Sequence, residues 1–114
     1  MRREFLDYVE DIIEAMEDAM NFVEGIDYDD FINDKRTFYA VVRALEIIGE
    51  AVKKIPFSVR KRYPEIPWKD MAGMRDKLIH EYFGVDLERV WKTLKEEIPN
   101  LKPLFKKILD DFEQ

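Results

Sequence analysis

Asp34-Lys35-Arg36-Thr37-Phe38-Tyr39-Ala40-Val41-Val42-Arg43-Ala44-Leu45-Glu46-Ile47-Ile48-Gly49-Glu50-Ala51-Val52-Lys53-Lys54-Ile55-Pro56 is the stretch that decides the fold. Phe38, Val41, Val42, Leu45, Ile48, Val52 and Ile55 recur at steps of three and four, the spacing of one face of an α-helix. Asp34 is suited to the N-cap, where a short carboxylate accepts a hydrogen bond from a first-turn N–H that has no partner in the helix. Pro56 stops the helix because its ring clashes with the preceding turn and its nitrogen has no proton to donate. Gly49 sits inside, where it costs about 1 kcal/mol relative to Ala. Such a glycine marks a place where another backbone passes close by.

The same period runs outward in both directions. On the N-terminal side, Phe5, Val9, Ile12, Met16, Ala19 and Val23 predict a helix over about residues 2–24, with Gly25 as its stop. Asp27 caps a short turn through Phe31 and Ile32. On the C-terminal side, Pro56, Pro64 and Pro67 make residues 56–67 a tight connector. A helix is expected from Pro67 to Phe83, ended by Gly84. Asp86 caps the next, with Leu87, Val90, Trp91, Leu94 and Ile98 inward, and Pro99 begins a last helix through Leu101, Phe105, Ile108, Leu109 and Phe112. No segment alternates at period two. The expectation is an all-α protein, one domain over residues 1–114, built as an antiparallel bundle of four to six helices.

Composition narrows the chemistry. The 114 residues are 46% apolar, enough for a core. The absence of Cys excludes a disulfide framework, a thiolate zinc site and a cysteine nucleophile, and suits a reducing cytoplasm. No leader is visible, and no apolar run approaches the roughly 20 residues that span a bilayer. Net charge is −6 but uneven: residues 1–34 hold 2 basic and 12 acidic side chains, whereas residues 53–77 hold 8 basic and 3 acidic ones. The acidic run reads as solvated helix surface; the basic run leaves room for a local anion site. Asp29-Asp30 and Asp110-Asp111 read as surface rather than metal ligands. There is no phosphate-binding glycine loop, no nucleophile elbow and no paired-His metal motif, so neither a metal nor a cofactor is expected.

The helix expected over residues 67–83 breaks its own pattern. Arg75 falls at about 40° from Met71, inside an apolar arc that holds Met74, Leu78 and Tyr82. A charge there is rare unless it is paired or functional. Asp76 and His80, the only His of the chain, are four residues apart, so the carboxylate could hold one imidazole nitrogen and fix its tautomer.

Gly73-Met74-Arg75-Asp76-Lys77-Leu78-Ile79-His80-Glu81-Tyr82-Phe83-Gly84-Val85-Asp86 resembles the signature region of HepT-like proteins, which are HEPN-domain toxins paired with a minimal nucleotidyltransferase antitoxin. Arg43-Ala44-Leu45-Glu46-Ile47-Ile48-Gly49-Glu50-Ala51 and Arg62-Tyr63-Pro64-Glu65-Ile66-Pro67-Trp68 extend the resemblance over nearly the whole chain. The family's motif of Arg, four residues, His, one residue, Tyr maps onto Arg75, His80 and Tyr82, and Asp76 fits the polar position after the Arg. The resemblance implies a HEPN-like helical homodimer with both motifs at one cleft. It implies metal-independent RNA endonuclease activity, and a nucleotidyltransferase partner that neutralises the toxin, in some members by adding AMP to the tyrosine, here Tyr82.

The residue types suit that chemistry. When a ribose 2′-hydroxyl attacks its own phosphate, a base takes its proton, an acid protects the leaving oxygen and a cation steadies the charge at phosphorus. His titrates near neutrality, and Arg offers a permanently charged fork that matches phosphate oxygens. One chain supplies one His, and an ideal helix places Arg75 and His80 about 140° apart. Two chains about a two-fold axis would supply both groups twice, with Gly73 allowing close helix approach. Two other readings stay open: a non-catalytic HEPN module that binds a nucleotide or a nucleotidyltransferase, and a purely structural dimer with Arg75 in an interface salt bridge to Glu50 or Asp76.

Overall fold

In a computed structural model the described residues are 4–80 and 84–112, with side chains described except at 79 and 80. The chain is all-α apart from one short strand pair. Helix α1 spans Phe5–Phe22, α2 Tyr28–Ile32, α3 Lys35–Val52, α4 Phe57–Arg60, α5 Trp68–Ala72 and α6 Met74–Leu78. Strands β1 (Ile79–His80) and β2 (Gly84–Val85) follow, then α7 (Leu87–Lys92), a π-helical segment (Thr93–Glu97) and α8 (Ile98–Phe112).

The long helices form where the period and the caps agree. The Asp34 carboxylate accepts from the Thr37 N–H at 3.2 Å and from the Thr37 hydroxyl at 2.7 Å. These bonds hold its pKa below the ordinary carboxylate value. Asp27 and Asp86 cap α2 and α7 in the same way. Helices α1 and α3 pack lengthwise through Val9, Ile12, Met16 and Ala19 against Val41, Leu45, Ile48 and Val52, all 1% exposed or less. Each large apolar side chain so buried contributes roughly 1.5–3 kcal/mol. Aromatic edges close the bundle: Phe5 on Phe112, Trp68 on Phe105 and Phe31 on Trp91, with centroids 5.0, 5.6 and 5.1 Å apart.

Two helix expectations change. The helix expected over residues 67–83 is three pieces. Gly73 caps α5, α6 restarts for one turn, and at Ile79 the backbone extends to pair antiparallel with Val85. Gly84 supports the return with φ +77°, a conformation that L side chains rarely adopt, and the Asp86 N–H donates to the Leu78 carbonyl at 2.8 Å. The apolar period of 71–83 could not show this, because a short strand pair leaves the same residues apolar. Pro99, in turn, starts no separate helix. The chain runs on from Leu87 to Phe112, and the Ile98 N–H reaches back five residues to the Thr93 carbonyl. That wider turn accommodates a proline nitrogen that cannot donate.

The glycine expected to mark a close approach does so. A Cβ on Gly49 would sit 3.3 Å from the Met71 carbonyl oxygen and 3.8 Å from that of Ala72. The α5–α6 break therefore lies directly on α3. Within the chain Gly73 has ordinary contacts, 3.6 Å to the Lys69 oxygen; the close approach expected of it is between two chains.

Gly49→Leu is expected to destabilise the protein by about 2–3 kcal/mol in urea unfolding, because the obstacle is backbone. Helix propensity alone predicts the opposite sign, a gain of about 1 kcal/mol. Tyr63 supplies a second check. Burial, and then its 2.8 Å hydrogen bond to the Asp111 carboxylate, push its phenol from 10 up to about 12. The folded state thus holds this proton more tightly than the unfolded state. The stability so gained is complete below pH 10 and is lost as pH rises toward 12. Tyr63→Phe should cost about 1 kcal/mol at pH 7, and its deficit should shrink through that alkaline window.

Candidate functional site

The site is built where α6 lies on α3. Met74 and Leu78 of α6 turn inward at 7% and 2% exposure, which leaves Arg75, Asp76 and Lys77 outward. Arg75 is not sunk in the apolar face as an unbroken helix would have it: its side chain is 58% exposed. Its Nε donates to the Glu46 Oε2 at 3.2 Å, and that Glu46 side chain is 25% exposed. Among the described residues, Nε is the guanidinium atom so engaged. The fork is fixed by a carboxylate on a long, well-packed helix, and its outer edge faces water. Such a group can accept an anion without first losing its orientation.

Glu46 is the residue that sequence reasoning missed. Within the chain, Glu50 pairs with Lys53, at 3.7 Å. Glu46 stands 29 positions before Arg75. The available signal was the Gly49 approach, which brings α6 beside the turn of α3 that carries Glu46.

The structure does not keep Asp76 and His80 on one helix, because His80 belongs to β1. The four-residue stagger expected to pair them is gone. So is the angle of about 140° that argued for a second chain. The His80 side chain and the whole of Tyr82 lie outside the described residues.

The basic run resolves into individual tasks. Arg60 donates from Nε to the Ile55 carbonyl at 2.8 Å and from Nη2 to those of Val52 and Lys53 at 3.3 and 3.2 Å, which caps the end of α3. Lys77 pairs with Asp70 at 3.0 Å, and the Arg62 guanidinium lies 4.6 Å from the Phe112 ring centre. A cleft of about 400 Å³ between α5–α6 and the π segment includes Lys77, Arg89, Glu96 and Glu97 but not Arg75. Its mixed signs do not make an anion site. Among the described residues, no group of three or more His, Asp or Glu could hold a metal ion. Asp30 is spent on the α2 cap and Asp111 on Tyr63. Among the described residues, no helix is long and apolar enough to cross a membrane.

If Glu46 serves mainly to orient an exposed Arg75, Glu46→Gln should lower stability by less than about 1 kcal/mol, the range of exposed ion pairs. A loss of several kcal/mol in denaturant unfolding would instead mark the pair as part of the core.

The comparisons with known proteins agree with this architecture. The family described as ribonuclease HepT-like matches residues 12–108. The protein of Methanocaldococcus jannaschii named "Putative RNase MJ1216" is 55% identical over 112 residues, 98% of this chain and 93% of its own length. The "Probable ribonuclease HepT" of Thermococcus cleftensis is 56% identical over 108 residues, 95% of this chain and 98% of its own. No solved structure matches. With a family match over most of its length and relatives aligned nearly end to end, the chain belongs to the ribonuclease HepT-like family.

Proposed function

We propose that this protein is a metal-independent RNA endonuclease, the toxin of a toxin–antitoxin pair, acting in the cytoplasm as a homodimer. The observation that carries the reading is Arg75: an exposed guanidinium held by Glu46, five residues before the only His of the chain. The names of the relatives, "Putative RNase MJ1216" and "Probable ribonuclease HepT", support the substrate class.

Arg75 binds the scissile phosphate through the edge of the fork that Glu46 leaves outward. One His80 takes the proton of the 2′-hydroxyl, which attacks phosphorus. The P–O bond to the 5′-oxygen breaks, and the second His80 protonates that leaving oxygen. The products are a 2′,3′-cyclic phosphate and a 5′-hydroxyl end. Asp76 plays a supporting part beside the reacting groups. The need for a base and an acid, with one His per chain, favours a shared cleft. The outer face of α3 offers a docking surface next to Glu46: Tyr39 is 58% exposed and Ile47 36% exposed. The antitoxin is a minimal nucleotidyltransferase that adds AMP to Tyr82. The added bulk and negative charge oppose entry of an RNA phosphate.

Purified protein should cleave single-stranded RNA in chelator and leave cyclic-phosphate ends. His80→Ala should slow the reaction by about 10²–10⁴-fold and Arg75→Ala by about 10²–10³-fold, both remaining folded and dimeric. Full activity in a monomer rules out the shared site. AMP found at another residue, with equal loss of activity, rules out Tyr82. If no RNA is cut, the non-catalytic HEPN module, binding a nucleotide or the nucleotidyltransferase, replaces the nuclease reading.

A further inference from the structure

Lys53-Lys54-Ile55-Pro56-Phe57-Ser58-Val59-Arg60-Lys61-Arg62 holds five basic residues and no acidic one, in a chain whose net charge is −6. The fold makes this stretch the corner between α3 and α4. At that corner Phe57 is 76% exposed, whereas Phe31, Phe38 and Phe105 are 8% exposed or less. A phenyl ring left in water contributes little to the core.

The corner is rigid. Arg60 ties it to the last carbonyls of α3, and the Lys61 N–H donates to the Phe57 carbonyl at 3.1 Å. Lys61 therefore stands one helical turn beyond Phe57, on the same side. Lys53, Phe57 and Lys61 are all exposed. The corner is also aligned with Arg75. Glu46, which holds Arg75, and Lys53 lie on one face of α3, about 20° apart in azimuth and roughly 10 Å apart along the axis.

We propose that this corner is a second contact for single-stranded RNA, outside the scissile position. The Phe57 ring stacks on a base, and Lys53 and Lys61 meet the adjoining phosphates. The proposal rests on the nuclease reading for its substrate. A strand held at Arg75 and laid along α3 meets Lys53 first, where a phosphate displaces the exposed Glu50 carboxylate 3.7 Å from the Lys53 Nζ, and the ring next. Every base has a π-face, so this contact is tolerant of sequence, and the lysines make it salt-dependent. It lengthens the bound strand without touching the reacting atoms.

The test is binding and cleavage measured side by side. In a His80→Ala background, Phe57→Trp places a fluorophore at the corner. A single-stranded RNA of about 12 nucleotides should quench it saturably, beyond any change in the same protein with Phe57 intact. In that background Phe57→Ala should weaken binding about tenfold. Lys53→Gln and Lys61→Gln should each lower the salt slope of log K by about 0.7. With His80 intact, Phe57→Ala should lower kcat/KM on the long RNA but leave cleavage of a dinucleotide unchanged. Binding equal in Phe57→Ala and parent overturns the corner contact while the nuclease reading stands. Binding lost in Phe57→Ala, with no cleavage by the parent, upholds the contact and removes the nuclease. No quenching by RNA, with quenching by a protein partner instead, overturns the proposal and makes the corner a protein interface.

Discussion

The structure depends on a backbone contact. The Met71 carbonyl oxygen lies where the Cβ of any other residue at 49 would be 3.3 Å away, so Gly49 lets α5 and α6 approach α3 more closely than a side chain would allow without a shift. Once they do, Met74 and Leu78 fall into the core and Arg75 falls beside Glu46. A helix interior is a costly place for glycine, and here closeness between helices offsets the lost propensity. The same contact explains why the segment after Gly73 is short. One turn of helix fits over α3, and the chain then leaves in the extended form that Gly84 returns.

Around that contact, charge is distributed by task. The acidic run of the first helix covers solvent, whereas the cations of residues 53–77 divide between structure and surface. Arg60 seals the end of α3 with three bonds to carbonyls, a use that favours guanidinium because its donors diverge in a plane. Arg75 keeps one nitrogen on a carboxylate and faces water with the rest of its fork. These two arginines look alike in composition but do opposite work, one holding backbone and one presenting charge. The difference is set by what lies within 3.3 Å of each.

Much of the fold was legible from residues 34–56 outward. The i, i+3, i+4 period, the caps at Asp27, Asp34 and Asp86, and the close approach at Gly49 each rest on local stereochemistry, and each is found in the structure. Local reasoning failed in two places. Residues 67–83 keep an apolar pattern that a helix and a strand pair share, and Pro99 was given a break where a widened turn was enough. In both cases the outcome turned on hydrogen bonds to residues outside the window, from the Asp86 N–H to the Leu78 carbonyl and from the Ile98 N–H to the Thr93 carbonyl.

Of the candidate site, the sequence by itself determined the chemistry on offer: one His, an Arg five residues before it, and no thiol. Residue types carry pKa, charge and donor geometry wherever they stand. Only the tertiary structure decided that Arg75 pairs within the chain with Glu46, because that choice depends on the azimuth and depth at which α6 meets α3. Only the tertiary structure left Phe57 in water at a basic corner, because a ring's exposure depends on which surfaces the rest of the chain happens to cover.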